Sequence, residues 1–526
     1  MSTLIEDRVT SHRVGEQAET IAFLSSPGAH AGAPVERIDT HASILFLASD
    51  RAWKLKRAVR YDYLDYSTPA KRRAMCDAEF AVNRAGAPDI YRRVVPVTRD
   101  DGGRLAIGGA GRPVDWLVEM VRFDQNDVFD RLASRGALDP ALMPALAATI
   151  AEMHEAAERR PDRGGSAGMA WVIEGNAAGF VGESGLAADS SLAGRVTVAC
   201  RAMNDGLRMA LDARRESGFV RRCHGDLHLG NIVRFQGRPT LFDAVEFNDA
   251  ISCIDVLYDL AFVLMDLGRQ SLWPDANVLL NAYLSDMLDF DGLAALPLFL
   301  GCRAAVRAKT VATAAALQTD SVRRHSLRAH ARQYLALAGQ LLEPPRPCLV
   351  AIGGLSGSGK SALAAMLAPE VGAAPGAVIV RSDELRKRLI GVAPLTRLGP
   401  ESYAAKVTTR VYDLMATRAR AVVASGHSAI VDATFLGSAG RRAIEDIACD
   451  AGVPFVGLWL EAPEGNRLDR VRRRSHDPSD ADAAVIRQQT VEGAVAWAHI
   501  DASRPLDVVL HDVRGVVSDT GALRRD

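Results

Sequence analysis

The sequence predicts a multidomain α/β chain in which a two-lobed α+β region precedes a parallel α/β sheet. Three observations predict it. At 526 residues the chain exceeds one ordinary core. The segment Glu343-Pro344-Pro345-Arg346-Pro347 cannot continue a preceding helix and favours a stiff, extended connector. Before it, strands give way to helices; after it, strands and helices alternate regularly. The expected domains are residues 1–342, with a small lobe over about 35–120 and a helical lobe over about 121–342, and residues 348–526, joined by the linker 343–347.

In the small lobe Ile44–Leu47 and Ala52–Lys56 read as strands, Lys71–Arg84 as a helix and Val114–Met120 as a further strand. From about residue 125 the pattern is helical. Short strands interrupt it around Asn231-Ile232-Val233 and Thr240-Leu241-Phe242, and a long Ala/Leu/Arg-rich helical stretch runs from about Arg303 to Leu342. In the second domain the strands are expected at Leu349–Ile352, Ala377–Val380, Ala429–Val431, Phe455–Leu460 and Asp507–Leu510.

The composition is globular, with 48% hydrophobic and 24% charged residues. A net charge of −1 supplies no global attraction for nucleic acid or anionic membrane. The seven cysteines form no CxxC pair, which favours reduced thiols over a disulfide frame or a zinc site. The polar N-terminal stretch lacks a signal-peptide apolar core, and no run approaches the roughly 18 apolar residues that span a membrane. A cytoplasmic protein with no membrane partner is expected.

Two motifs carry the chemistry. His224-Gly225-Asp226-Leu227-His228-Leu229-Gly230-Asn231 reads as a kinase-type catalytic loop. Phosphoryl transfer asks for a lysine on the nucleotide phosphates, carboxylate or amide ligands for magnesium, and a base beside the acceptor hydroxyl. Asp226 fits the base, Asn231 and Asp243 the metal ligands, and Lys54 paired with Glu79 the phosphate lysine. Lys56 shares a strand face with Lys54 and stays open as the alternative. Arg303, Arg307 and Lys309 read as a helical face, solvated or near an anionic acceptor.

Gly354-Leu355-Ser356-Gly357-Ser358-Gly359-Lys360-Ser361 follows an apolar strand and reads as a P-loop. Backbone N–H groups from Gly354, Ser356, Gly357, Ser358 and Gly359 would cradle ATP phosphates. Lys360 would reach the β/γ oxygens, and Ser361 would ligate magnesium. Two further strands end in Asp383 and Asp432, and ligands of open α/β sheets sit beyond such carboxyl ends. Asp432 is expected at the metal's water shell. Arg467, Arg470 and Arg474 share one helical face, whereas Arg472 and Arg473 look outward. A flexible-looking Ser475–Asp480 follows.

On HGDLHLGN, LFDAVEFN and the pair Asp255 and Asp259 in IDVLYDLAF, the first half resembles the aminoglycoside phosphotransferase (choline kinase-like) superfamily. The chain as a whole resembles bacterial proteins in which such a domain precedes a zeta-toxin or polynucleotide-kinase-like P-loop kinase. The resemblance implies a protein-kinase-like fold and a P-loop NTPase sheet. It implies Asp226 as base, Asn231 and Asp243 on magnesium, and Val118–Met120 at the adenine hinge. A glycine-rich phosphate loop is missing, and the turn Asp39–Ser43 stands in its place. Asp255 and Asp259 are expected to brace the catalytic loop. In the second half, Asp383-x-x-Arg386 resembles the acceptor-binding segment of polynucleotide 5′-kinases and zeta-toxin-like kinases. This implies Asp383 as base and Arg386 on the acceptor. Arg470 and Arg474 resemble an arginine lid over the transferring phosphoryl group, and Ile500–Pro505 resembles an adenine-contacting segment.

The reading is an ATP- and magnesium-dependent phosphotransferase with two sites, each acting on a hydroxyl of a small molecule. The alternatives are a polynucleotide 5′-kinase in the second half, which the neutral charge and lack of an aromatic stacking array disfavour, and a regulatory ATP-binding role for one half. Acceptors and oligomeric state are left open.

Overall fold

In this computed structural model, residues 14–40, 42–61, 64–181, 190–473 and 477–524 are described. The chain divides into two compact units: residues 1–168 with 212–263, and residues 169–211 with 264–526. The proline-rich segment 343–347 falls inside the second unit.

The first unit is built on a six-stranded antiparallel sheet. Its order is Glu36–Asp39, Ser43–Ala48, Arg51–Lys56, Arg112–Val121, Tyr91–Arg99 and Leu105–Ile107. Apolar residues alternate into two clusters, one on each face. Val118, Met120 and Ala52 lie in one, and Leu117, Leu55 and Phe46 in the other. The helix Pro69–Gly86 starts at Thr68, whose side chain accepts from Lys71 N, and carries Glu79 toward the sheet. The strand Tyr91–Arg99 escaped the sequence reading because it holds Pro96, a residue that argues against an interior strand. The proline is accommodated between two register shifts in its pairing with Arg112–Val121.

Beyond the sheet, the first unit holds the hairpin Ile232–Phe235/Arg238–Leu241 and the short pair Val220–Arg222/Cys253–Asp255. The catalytic-loop motif lies between them in sequence.

The second unit contains a five-stranded, wholly parallel sheet. Its order is Val378–Arg381, Ala429–Asp432, Leu349–Gly354, Phe455–Glu461, Ala498–Asp501. Four strands are those expected. The fifth is not Asp507–Leu510, which lies in the helix Leu506–Ser518. Val509, Leu510, Val513 and Val517 are its buried residues, a helical spacing that outweighs the local β-branched run. Ile352, Leu363, Leu458 and Val513 meet in a solvent-free core between sheet and helices.

The stretch Arg303–Leu342 is two helices, Leu296–Leu317 and Ser321–Leu341. Asp320 breaks it by accepting from Val322 N and Arg323 N as an N-cap. Arg303 is buried (4% exposed) and Arg307 lies over the Tyr334 ring, so these two do not form a solvated basic face.

His427 is fully enclosed beneath the sheet. Its Nε2 donates to Gly376 O at 2.9 Å, and burial pushes its pKa down to about 4. As pH falls through the ordinary histidine value of 6.5 the unfolded chain takes up a proton that the fold refuses. Stability of the second unit is therefore expected to fall between pH 6.5 and about 4 and then level off with respect to this group. Urea midpoints at pH 7, 5.5 and 4.5 check it, with a flatter profile expected for His427→Gln.

Candidate active sites

The first site is assembled on the Arg51–Lys56 strand, the Pro69–Gly86 helix and the loop after Leu241. Lys54 Nζ donates to Glu79 Oε1 at 2.8 Å and to Asp243 Oδ1 at 2.5 Å. Lys56 Nζ donates to the other oxygen of the same glutamate at 2.7 Å and to Glu246 Oε1 at 2.5 Å. Glu79 is fully buried between two ammonium groups. Burial works to raise its carboxyl, but Lys54 and Lys56 outweigh it and hold it near 2. Burial would likewise depress the Lys54 ammonium, yet Asp243 and Glu79 keep it well above its ordinary range. Both lysines are thus charged, and their surroundings differ. Lys56 is 1% exposed and also contacts the Tyr66 hydroxyl, whereas Lys54 neighbours Asp243, whose side chain is 46% exposed. The sequence reading did not include Glu246. Its signal was a second carboxylate soon after Asp243, as Lys56 is a second lysine soon after Lys54.

The catalytic loop is held from beneath by Asp259. Its Oδ1 accepts from Gly225 N at 2.9 Å and its Oδ2 from His224 N at 3.0 Å, with His154 Nε2 at 3.3 Å. Asp255 forms a two-bonded pair with Arg214. Gly225 has a φ of +82°, and a Cβ there would meet Ile251 O at 3.1 Å. His224 Nε2 donates to Phe242 O at 2.9 Å, so its Nδ1 is left to accept from Asp226 N at 3.3 Å. Burial lowers its pKa and favours this neutral form. The Asp226 carboxylate, 44% exposed, stands at the open end of this scaffold. Asn231 Nδ2 donates to Asp226 O and Oδ2, at 2.9 and 3.2 Å.

Asn231 and Asp243 offer an amide and a carboxylate oxygen, a hard donor set that fits magnesium. Asp243 adopts a left-handed φ of +64°, and its N donates to Tyr91 Oη. Met120 lies within the strand Arg112–Val121, 7% exposed in an apolar cluster with Ala52, Val118 and Val233. At the turn after Asp39, Thr40 and Ser43 bond each other, and His41 lies outside the described residues.

The second site lies at the carboxyl ends of the parallel strands, around a cavity of about 1460 Å³. Ser356, Gly357, Ser358, Gly359, Lys360, Ser361, Asp383, Arg386, Asp432 and Arg470 all line it. Gly354 has a φ of +133°, and a Cβ would lie 2.5 Å from Leu460 O, so the loop can pass that strand only as glycine. Lys360 Nζ donates to Gly354 O at 2.9 Å and Leu355 O at 3.0 Å. Ser361 Oγ donates to Asp432 Oδ2 at 2.5 Å, and Arg381 Nε lies 3.5 Å from the same oxygen. Burial raises the Asp432 pKa, with Arg381 and Lys360 opposing. A hydroxyl and a carboxylate in contact suit magnesium as a ligand and an outer-sphere partner.

Asp383 occupies the first turn of the helix Ser382–Ile390, which no side chain caps at Arg381. Arg386 follows one turn later, its guanidinium 4.6 Å from the Tyr403 ring centroid. It is 6% exposed and donates through Nη1 to Ser402 O at 2.8 Å. Its buried Nε has no hydrogen-bond partner among the described residues.

The arginine helix behaves differently from expectation. Arg470 donates to Ser358 O at 2.9 Å and Ala502 O at 2.7 Å, tying the phosphate loop to the segment after the last strand. Arg467 is buried against Gly357. Arg473, expected outside, lines the cavity, while Arg472 lies 3.6 Å from Asp469. Arg474, Ser475 and His476 lie outside the described residues. The following residues are pinned. Asp477 accepts from Arg381 at 2.8 Å, and Asp480 accepts from Lys387 and from Tyr403 Oη. Gln489, which the sequence reading passed over, accepts from Ser356 N and donates to Ser356 Oγ, each at 2.8 Å. No motif marked it, because its partner lies 133 residues away.

Two family models match parts of the chain. Residues 104–296 match the phosphotransferase enzyme family, and residues 349–492 match an AAA domain. The chain thus carries a segment like the phosphotransferase enzyme family ahead of a segment like an AAA domain. Uncharacterized proteins of Mycobacterium tuberculosis and Mycobacterium bovis are each 28% identical over 461 residues, covering 85% of this chain and 88% of theirs. Among solved structures, a choline/ethanolamine kinase family protein from Mesorhizobium loti is 12% identical with a TM-score of 0.35, covering 62% of this chain and 99% of its own. A gluconokinase from Sinorhizobium meliloti is 20% identical with a TM-score of 0.25, covering 33% and 94%. The domain make-up is that of an ATP-dependent phosphotransferase.

The two lysines separate by experiment. Lys54→Met is expected to lower turnover at the phosphotransferase site by about 100-fold with little change in denaturation midpoint. Lys56→Met leaves the buried Glu246 without its cation and is expected to cost about 3–5 kcal/mol of stability. Activity and urea melts of both variants check the pair.

Proposed function

We propose that this chain carries two separate ATP- and magnesium-dependent sites, each transferring the γ-phosphoryl group to a hydroxyl of a small molecule. One observation carries the proposal. Each compact unit assembles, from its own residues, an open carboxylate, a cation and a pair of oxygen donors. Neither set borrows a member from the other.

At the first site Lys54, fixed by Glu79, holds the ATP phosphates, and Asn231 with Asp243 holds magnesium. Asp226 takes the acceptor's hydroxyl proton as the acceptor oxygen bonds to the γ-phosphorus and the bond to the departing ADP oxygen breaks. At the second site the loop from Gly354 to Ser361 cradles the phosphates, Lys360 neutralises them, and Asp383 takes the proton. Arg386 holds the acceptor. Magnesium, when bound, offsets phosphate charge at both sites. The apolar cluster around Met120 and Ala52 suits an adenine ring at the first site; Ala502, Leu506 and Val509 suit one at the second. Arg470 supports the phosphate loop through its carbonyl bonds, and Arg473 of the same helix joins it on the cavity wall.

The polynucleotide reading is disfavoured by the net charge of −1 and by the lack of an aromatic stacking array in the sequence. A purely regulatory half is disfavoured by the complete catalytic set in each unit. The location expected remains cytoplasmic; among the described residues no helix is long and apolar enough to cross a membrane.

Asp226→Asn and Lys360→Ala test the proposal separately. Magnesium-dependent [γ-³²P]ATP transfer into a pooled metabolite extract is measured with the full chain. Each variant is expected to lose a different labelled product by at least about 100-fold. Loss of one and the same product in both variants, or no loss in either, sinks the two-site reading.

A further inference from the structure

The strand Val378–Arg381 is an edge of the parallel sheet. On its paired side Val378 N donates to Ser428 O at 2.9 Å. The next residue points its N–H the other way, where a sheet edge ordinarily leaves donors and acceptors open. Here Asn281 Oδ1 accepts from Ile379 N at 2.7 Å. Asn281 Nδ2 donates to Ala377 O at 3.3 Å, and Asn277 Nδ2 donates to the same carbonyl at 3.1 Å. The two asparagines lie one turn apart on the helix Trp273–Met287, and Asn281 Nδ2 also contacts Asn277 O and Oδ1 at 3.0 and 3.1 Å. Asn277 is 2% exposed.

That helix lies within residues 104–296, the phosphotransferase-family segment, upstream of the proline-rich linker. It touches the P-loop kinase domain elsewhere too. Arg388 donates to Asp286 O at 3.3 Å, and the Arg524 guanidinium lies 4.4 Å from the Trp273 ring centroid.

We propose that Asn277 and Asn281 are positioning residues of the second site, completing the P-loop sheet from outside the P-loop domain. Two residues beyond Ile379, Arg381 holds Asp432 and Asp477; two further, Asp383 begins the acceptor side of the cavity. An unpaired Ile379 N–H would favour fraying of this short strand, and fraying displaces the arginine and the base together. The phosphate loop sits on the central strand and does not depend on this edge. The upstream helix is therefore a working part of the second site. The catalytic half of this inference rests on the proposed role of Asp383; the structural half does not.

Full-length protein carrying Asn277→Leu with Asn281→Leu tests it, beside the single variant Asn281→Asp, which keeps an acceptor for Ile379 N. Three quantities are read: amide hydrogen exchange by mass spectrometry, ADP affinity by equilibrium binding, and kcat of the P-loop product in an Asp226→Asn background. Exchange over residues 377–386 is expected to rise about tenfold in the double variant and less in Asn281→Asp, with residues 349–354 unchanged. The ADP Kd is expected to stay within about twofold while kcat falls about tenfold. Unchanged exchange over 377–386, or an equal rise over 349–354, overturns the proposal. Raised exchange with unchanged kcat overturns the positioning role. If the double variant does not fold, Asn281→Asp decides by the same criteria. A parent protein with no P-loop product refutes the functional reading of that site instead, and the exchange data alone then decide this inference.

Discussion

Sharing a buried carboxylate between two donors is the arrangement on which both sites depend. A carboxylate taken out of water costs several kcal/mol unless it is paired and hydrogen-bonded. Glu79 meets that demand with Lys54 on one oxygen and Lys56 on the other. Asp432 meets it with the Ser361 hydroxyl and the Arg381 guanidinium. In each case one partner belongs to the proposed phosphate or metal apparatus and the other holds the group in place. The functional partner can then engage a ligand while the carboxylate keeps a positively charged neighbour.

The same economy shapes the loops. Asp259 accepts two successive backbone N–H groups and so fixes the turn that presents Asp226, though it is itself fully buried. In the second unit Gln489 and Arg470 play comparable parts, one on Ser356 and one on Ser358 O. A phosphate-binding loop of glycine and serine has little side chain with which to hold its own shape. Here neighbouring elements hold it, through directed hydrogen bonds to its backbone. Arg470 stands on the cavity wall and spends donors on two carbonyls as well.

Much of the fold and most of the proposed site were legible in the sequence. Four of five parallel strands, the P-loop and the spacing of Asp226, Asn231 and Asp243 follow from local pattern, because each rests on short-range spacing. The failures were local too. Pro96 masked a strand that neighbouring pairing stabilises, and the valines of Asp507–Leu510 suggested a strand where burial follows a helical period.

By itself the sequence determined the kinase-type character of two segments and nominated the residue types proposed to carry it, since glycine spacing, apolar alternation and motif order are written along the chain. The tertiary structure alone decided which of two neighbouring lysines stands beside Asp243, that Arg473 joins Arg470 on the cavity wall, and that an asparagine pair from the upstream segment closes the edge of the P-loop sheet. Those choices join residues about 100 or more positions apart. Burial and hydrogen-bond geometry select among chemically equivalent side chains, and neither exists until the chain has folded.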